Sequence, residues 1–178
     1  LERLVTIDPL TDLKNRRHFF ELTQKEMDRC RRYNRPLSII MLDIDNFKKI
    51  NDQFGHLVGD RVLVETARRI LKILRRVDQA CRYGGEEFAI LLPETSQLQA
   101  EMLAERLRQT IGKQPMILSD PNVSITVSVG VASYEKEDIL SVDTLLDRAD
   151  QAMYIAKQNG RNKVAVYSPV EEGKQEDQ

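Results

Sequence analysis

Residues 37–44, Leu-Ser-Ile-Ile-Met-Leu-Asp-Ile, form a nearly continuous apolar run of strand length. Such a run predicts a strand that is covered on both faces, because a half-exposed strand alternates apolar and polar residues. This strand must therefore lie at the centre of a sheet that carries other elements on both sides. The chain has 178 residues, which is enough for one domain built around such a core.

Helical spacing and turn residues predict the elements around this strand. We predict helices near 15–34, 45–54, 60–76, 97–112 and 142–158, a hairpin of strands 80–83 and 88–92, and further strands at 123–133 and 164–167. When the two consecutive helices count as one and the last helix and strand are left out, the order is β-α-β-β-α-β, which is ferredoxin-like. The predicted fold class is α+β, with a central, mostly antiparallel sheet flanked by helices.

Composition narrows the class of protein. The chain is 41% hydrophobic and 31% charged, which is typical of a soluble globular domain. Lys and Arg number 27 against 28 Asp and Glu, and a net charge of -1 argues against a basic nucleic-acid surface, so we expect no DNA or RNA partner. No apolar run reaches the roughly 18 residues of a membrane span and no signal peptide is visible, so we expect a cytoplasmic location.

Residues 82–88, Arg-Tyr-Gly-Gly-Glu-Glu-Phe, place two glycines directly before two carboxylates, between two strand-like runs. Gly-Gly at this position predicts a hairpin turn, since glycine adopts a positive φ without steric cost. Glu86 and Glu87 would then stand on the turn, where they could bind a metal ion or accept a proton. Glutamates on a turn are also commonly just solvated, and this interpretation stays open.

The end of the central strand carries a second acidic pair, Asp43 and Asp45. Residues two apart in a strand share a face, so the two carboxylates could converge, although Asp45 is also well placed to cap the next helix. Strand-end carboxylates suit Mg²⁺, which binds one or two of them together with phosphate oxygens. Such a site needs Asp43 to meet Glu86 across the sheet, and the sequence does not show this contact.

Several polar positions suit a bound nucleotide, and each also has an ordinary structural explanation. The helix predicted after the central strand offers its N-terminal N–H groups and Lys48 to a phosphate. Asp60 can accept the two hydrogen bonds that guanine donates, with Asn51 as a complementary reader, but Asp60 is equally suited to be a helix N-cap. Lys157 and Arg161 suit the outer phosphates of a nucleotide or, equally, the dipole of their own helix end.

Five segments in this order resemble one family, the GGDEF domains or diguanylate cyclases, from residue 8 to about residue 167. The matching segments are 8–17, 43–52, 55–60, 82–88 and 156–162. The turn reads Gly-Gly-Glu-Glu-Phe, with Glu where many members have Asp, and Asp12 stands where Gly is frequent. The co-occurrence of all five segments is highly specific.

The resemblance implies a fold and a reaction. The fold is a ferredoxin-like α+β core similar to nucleotide cyclases and polymerase palms. In the reaction, two GTP molecules condense to cyclic di-GMP and release two pyrophosphates. Each domain holds one GTP, and two domains face each other as a homodimer, so that the 3′-hydroxyl of one GTP attacks the α-phosphorus of the other.

The resemblance also implies roles for individual residues. The implied ligands of Mg²⁺ (or Mn²⁺) are Asp43, the carbonyl of Ile44, and Glu86. The implied catalytic residues are Asp43, Glu86 and Glu87, with Glu87 assigned to metal binding or to deprotonation of the 3′-hydroxyl. The implied substrate-binding residues are Phe47 (through its backbone), Lys48, Asn51, Asp60, Gly85, Lys157 and Arg161.

Arg75 and Asp78 match the inhibitory Arg-x-x-Asp site of the same family, and Arg106 is the expected third contact. The resemblance thus implies that the product, cyclic di-GMP, also inhibits. Without it, the two residues would be interpreted as a helix-end cation and a turn aspartate.

Members of this family usually follow a sensory or receiver domain through a helical linker. Residues 1–7 have the apolar spacing of a short helix and are interpreted as the end of such a linker, which could also connect the domain to a membrane anchor. Residues 8–168 would form the catalytic domain, and the polar residues 169–178 a frayed tail. Two alternatives to the cyclase are a non-catalytic receptor for cyclic di-GMP and a cyclase that also accepts ATP.

Overall fold

A computed structural model describes residues 6–116, 122–135 and 140–169 of the chain. Its elements are β1 (Lys14–Asn15), α1 (Arg16–Tyr33), β2 (Leu37–Ile44), α2 (Phe47–Phe54), α3 (His56–Ile73), β3 (Gln79–Arg82), β4 (Glu87–Pro93), α4 (Gln97–Lys113), β5 (Val127–Tyr134), α5 (Val142–Gln158) and β6 (Val164–Val166). The short strand β1 was not predicted. The predicted helical segment at 1–7 and the frayed tail lie largely outside the described residues. Within the described ranges, none of the helices is both long and apolar enough to cross a membrane.

The sheet has six strands in the order β1-β3-β4-β2-β5-β6. The four central strands pair with one another in antiparallel fashion, while the outer strands β1 and β6 pair in parallel with β3 and β5. The four core strands lie side by side in the order β3-β4-β2-β5. This is the ferredoxin-like arrangement, in which the first strand of the core lies between the third and the fourth. The predicted α+β class, a largely antiparallel sheet flanked by helices, is confirmed.

All eight residues of β2 are buried, as its apolar run predicted. The even-numbered residues from Ile40 to Ile44 pack in one cluster with α2, α3 and α4. The odd-numbered residues from Leu37 to Met41 pack in a second cluster with α1 and α5. Because side chains alternate along a strand, Asp43 lies on the face of β2 that α1 and α5 cover.

The boundary between α2 and α3 differs from the prediction. Gly55, at φ 89°, joins the two helices alone, since its N–H donates to the carbonyl of Asn51 and its own carbonyl accepts from Gly59 N. Helix α3 therefore begins at His56 rather than near residue 60 and ends at Ile73 rather than 76. The suggestion that Asp60 caps this helix is wrong, because Asp60 lies inside α3.

Asp45 is not a helix cap either. Asn46, at φ 54°, occupies the N-cap position of α2, and no side chain caps this helix. The carboxylate of Asp45 instead accepts hydrogen bonds from the Thr126 and Ser128 hydroxyls, both at 2.6 Å, and from Asn162 N at 3.0 Å. It is 6% exposed, and these three donors account for its burial.

The strand predicted at 123–133 begins later. Val or Ile alternates with Ser or Thr from residue 123 onwards, which predicted a strand from that residue. The strand β5 starts only at Val127. Val123 forms an isolated bridge with Met116 instead. The start of this segment thus pairs with the chain beyond α4, and Thr126, directly before β5, accepts a hydrogen bond from Asp45 N.

Gly130, in the middle of β5, is required by the close approach of α5. A Cβ at this position would lie 2.1 Å from the Ala149 carbonyl oxygen and 2.2 Å from Met153 N. Both are backbone atoms, so the helix would have to move. We expect Gly130→Ala to lower the free energy of unfolding by about 3 kcal/mol, as measured by urea denaturation.

Gly112→Ala is the matched control, because a Cβ there would have the Ile125 carbonyl oxygen as its nearest neighbour, at 3.6 Å. This substitution should change stability by less than about 1 kcal/mol, since alanine is the better helix former. Equal effects of the two substitutions would contradict the packing of α5 on β5 described above.

Candidate active site

The turn between β3 and β4 carries the two glycines and the two acids. Neither Gly84 nor Gly85 has a positive φ, so the predicted conformational reason for glycine is wrong. At Gly84 a Cβ would lie 2.7 Å from Oε2 of Glu87, so a larger residue would displace this carboxylate. At Gly85 a Cβ would meet nothing within 4 Å, so glycine leaves the outer backbone of the turn uncovered.

Arg82 braces this turn against the N-terminal segment. Its Nε and Nη2 donate to the Gly85 carbonyl at 3.1 and 2.9 Å, and its Nη1 lies 3.3 Å from Oδ1 of Asp8. Burial alone raises the pKa of Asp8, but hydrogen bonds from Thr11 and Arg82 outweigh it and hold this pKa below its ordinary value. The first of the five segments thereby supports the backbone of the acidic turn.

Strand pairing brings the two acidic segments together. Asp43 on β2 is the register partner of Glu87 on β4, so their side chains lie on the same face. Ile44 N donates to the Glu86 carbonyl at 3.3 Å, which holds the turn against the end of β2. Tertiary contact, which the sequence left open, thus joins Asp43, Ile44 and both turn glutamates.

Asp43 is strongly desolvated, at 5% exposed. Burial raises its pKa to about 6 against the opposing effect of Lys157, and the charges of Glu86 and Glu87 add to the rise. Lys157 Nζ, from the end of α5, donates to Asp43 Oδ2 at 2.8 Å. Lys157, expected at phosphates, is therefore also the counter-charge of the buried acid.

Glu87 has neighbours that the sequence analysis missed. Burial raises its pKa and the charge of Asp150 on α5 raises it further, while Lys157 and Arg16 oppose the rise. Arg16 stacks over the ring of Tyr83 at 4.3 Å, directly before the turn. The available signal was the spacing of seven residues between Asp150 and Lys157, which places both on one face of a helix.

The oxygen atoms gathered here fit a hard divalent cation. Asp43 and Glu86 offer carboxylates and Ile44 a carbonyl, which are the ligand types that Mg²⁺ prefers. The described part of the chain contains no group of three or more His, Cys, Asp or Glu side chains placed to hold a metal. A cation here would complete its coordination with other oxygens, as Mg²⁺ commonly does with water and phosphate. The pKa of Asp43 is raised first by burial and then by the charges of Glu86 and Glu87, and a cation at this position would favour the ionised carboxylate.

A second feature of the site lies between α2 and α3. Asn51 Oδ1 is buried without a hydrogen-bond partner, the one such side-chain oxygen or nitrogen among the residues described. Gly59 makes room for it, since a Cβ there would lie 1.9 Å from this oxygen. An unpaired buried acceptor costs about 1–3 kcal/mol, so Asn51 Oδ1 is available to accept a hydrogen bond from a donor outside the protein. Asp60, the next residue on α3, is exposed beside it.

The remaining predicted contacts are spread around these two features. Phe47 and Lys48 begin α2, with Phe47 buried and Lys48 exposed. Arg161 follows α5 and is exposed. Three features therefore lie together at the C-terminal end of β2. They are the segment with Lys157 and Arg161, the N-terminus of α2, and the acidic turn between β3 and β4.

The predicted inhibitory residues meet elsewhere, at the opposite end of β4. A cavity of about 350 Å³ is lined by Ile73, Arg75, Asp78, Thr95, Gln99, Met102, Leu103 and Arg106. Arg75 binds the fully buried carboxylate of Asp78 through its backbone N–H at 2.8 Å and through Nη2 at 2.7 Å. Arg106 stands exposed on α4 across the cavity. Asp78 therefore both closes the turn after α3 and lines the cavity.

Comparisons with known proteins agree with the geometry. A family model described as "Diguanylate cyclase, GGDEF domain" matches residues 5–163. Diguanylate cyclase A of Treponema denticola is 40% identical over 169 residues, which are 93% of this chain and 45% of that protein. The chain spans less than half the length of the first curated relatives that it matches.

Solved structures are similar over nearly the whole chain. The GGDEF domain of DgcB from Caulobacter crescentus, in complex with c-di-GMP, has a TM-score of 0.87 and 31% identity, covering 94% of this chain and 96% of that one. The active GGEEF domain of a diguanylate cyclase from Vibrio cholerae has a TM-score of 0.80 and 39% identity, covering 86% of this chain and 97% of that one.

The raised pKa of Asp43 predicts a pH dependence of stability. The pKa of Asp43 is 3.8 in the unfolded chain and about 6 in the folded protein. The resulting contribution to stability is therefore present below about pH 4 and is lost as the pH rises through 6. Asp43→Asn removes the titration. We expect the stability of the wild type relative to this variant to fall by roughly 2 kcal/mol between pH 4 and 7.

Urea denaturation of both proteins at each pH, with EDTA present, measures this difference. A difference between the two proteins that does not change with pH would contradict the desolvation of Asp43.

Proposed function

This chain belongs to the GGDEF domain family of diguanylate cyclases, and we propose that it condenses two GTP molecules into cyclic di-GMP with release of two pyrophosphates. The observation that carries the proposal is the strand pairing of Asp43 with Glu87, which gathers the acids at the end of β2. Family membership supports the reaction class. The acids and the base-reading residues favour an active enzyme over a receptor that has lost them.

Asp43, Glu86 and the carbonyl of Ile44 would hold Mg²⁺ or Mn²⁺, which when bound supplies positive charge to the triphosphate. The backbone at Phe47, together with Lys48, would contact the phosphates at the start of α2, where the helix dipole favours an anion.

Lys157 and Arg161 would contribute further positive charge to the triphosphate. Gly85, with nothing within 4 Å of the position of a Cβ, allows the nucleotide to approach the backbone of the turn.

Asn51 and Asp60 would recognise guanine. Guanine donates from N1–H and its exocyclic amine, and the unpaired Oδ1 of Asn51 and the exposed carboxylate of Asp60 are both acceptors. Adenine lacks this pair of donors and would leave the acceptors unsatisfied, so GTP is favoured over ATP.

Glu87 would bind metal or accept the proton of the attacking 3′-hydroxyl. A carboxylate with a raised pKa is a better base than an ordinary one, and burial together with Asp150 raises the pKa of Glu87. The described residues of the chain form one such site. Formation of both phosphodiester bonds therefore requires a second copy facing the first, and we propose a homodimer as the active species.

The relatives are longer than this chain. We therefore propose that residues 8–168 act as the catalytic domain of a protein whose N-terminal sensory or receiver region controls this pairing.

Turnover of GTP with Mg²⁺ tests the reaction. We expect cyclic di-GMP as the product, identified by chromatography, with activity per protomer rising with protein concentration. Glu86→Ala removes an implied metal ligand and should lower turnover at least about 100-fold. Glu101→Ala, at an exposed glutamate on α4, is the matched control and should retain turnover.

Two results would contradict this expectation in different ways. If GTP binds but no product forms at any concentration, the isolated domain does not pair productively. If cyclic di-GMP binds while GTP does not, the chain is a receptor rather than a cyclase.

We further propose that cyclic di-GMP inhibits by binding the cavity lined by Arg75, Asp78 and Arg106. Two arginines suit its phosphates and guanine edges, and the Asp78 carboxylate suits guanine donors. Arg106→Ala is the cleaner test, because Arg75→Ala would leave buried Asp78 without its partner. We expect the concentration of product that halves turnover to rise at least about tenfold.

Arg76→Ala is the control, since Arg76 is exposed beside Arg75 but does not line the cavity. Equal sensitivity of wild type and Arg106→Ala to added product would refute this inhibitory site.

A further inference from the structure

The segment after α5, which carries Arg161, has an unusual backbone. Gly160, Arg161 and Asn162 are consecutive residues with φ of 107°, 63° and 47°. The left-handed conformation is unfavourable for a residue with a Cβ, by roughly 1–2 kcal/mol each. Arg161 N donates to the Ala156 carbonyl at 3.0 Å, which closes the helix end but leaves the following residue to be held by other groups.

Asp45 holds Asn162 from the side of the sheet. Its Oδ2 accepts the backbone N–H of Asn162 at 3.0 Å and the Thr126 hydroxyl at 2.6 Å. Its Oδ1 accepts the Ser128 hydroxyl at 2.6 Å, so the carboxylate itself is fixed to β5 and the residues before it. This second acid of the Asp-x-Asp pair is thus engaged in backbone support, in contrast to Asp43.

Arg108 holds the same residue from α4. Its Nη1 donates to Asn162 Oδ1 at 2.7 Å. Glu105 orients the guanidinium, accepting from Nη2 at 2.6 Å and from Nε at 2.9 Å. Asn162 is therefore bound at its backbone by one buried acid and at its side chain by one oriented arginine, and the strained residue between it and Gly160 is Arg161.

We propose that Asp45 and Arg108 are positioning residues that fix the left-handed turn and so place Arg161 for contact with the phosphates of the nucleotide. This inference rests on the proposed function, which assigns phosphate binding to Arg161. Neither residue touches the nucleotide. Their effect is on the affinity for the triphosphate and not on recognition of the base, because Asn51 and Asp60 lie on α2 and α3.

Arg108→Ala tests the proposal, since the arginine is partly exposed, whereas Asp45 is buried and its loss endangers folding. The probe is 3′-deoxy-GTP, which lacks the attacking hydroxyl and cannot be condensed, and the comparison is GMP, which lacks the β- and γ-phosphates. Isothermal titration calorimetry should show binding of 3′-deoxy-GTP weakened about tenfold and binding of GMP unchanged. Arg108→Lys, which can still donate to Asn162, should recover part of the loss.

The Arg161→Ala background separates positioning from other effects. If Arg108 acts through Arg161, then Arg108→Ala causes no further loss once Arg161 is alanine. Lys113→Ala removes an exposed cation from the same helix and controls for the general loss of positive charge. It should bind 3′-deoxy-GTP like the wild type.

Several results would overturn the inference. These are unchanged binding of 3′-deoxy-GTP by Arg108→Ala, an equal loss for GMP, or a further loss in the Arg161→Ala background. If the wild type still binds 3′-deoxy-GTP and forms cyclic di-GMP from GTP, any of these results would leave the proposed function intact. A wild-type protein that binds no 3′-deoxy-GTP would overturn the proposed function as well.

Discussion

The burial of β2 on both faces is the constraint on which the rest of the structure depends. Helices α2, α3 and α4 cover one face and α1 and α5 the other, so every residue of the strand is assigned to one side by its parity. Asp43 shares the parity of Ile39 and Met41 and therefore meets α5, where Lys157 lies. A shift of one residue in register would turn Asp43 to the opposite face and separate it from Glu87.

This arrangement places acids where burial disfavours their ionised form. Asp43 is desolvated and close to both turn glutamates, and the result is a pKa raised to about 6 even with Lys157 at 2.8 Å. Asn51 adds a buried acceptor with no partner. Both are unfavourable for the protein alone, and a ligand that brings a cation and hydrogen-bond donors, as proposed, would compensate for both. The unfavourable burial of polar groups is thus concentrated where ligand binding is proposed.

The β3–β4 hairpin connects the two regions of proposed function. The acids stand on its turn, while Asp78 precedes β3 and the cavity with Arg75 and Arg106 lies beyond the far end of β4. Arg82 braces the turn from the N-terminal segment through Asp8. The acidic turn is therefore held from two sides, by β2 through Ile44 and by the N-terminal segment through Asp8 and Arg82.

Local patterns in the chain predicted most elements, because strand and helix periodicity depend on residues a few positions apart. The apolar run of β2, the hairpin and most helices follow from such patterns, and the five segments identified the family and the candidate residues. What they could not predict was contact between distant residues. Asp45 bonds to residues 81 to 117 positions away, and those partners, not helix capping, decide its role. Likewise, Asp150 and Arg108 lie near the site only because of how α5 and α4 pack. Residues nearby in the chain do not specify which helix faces meet.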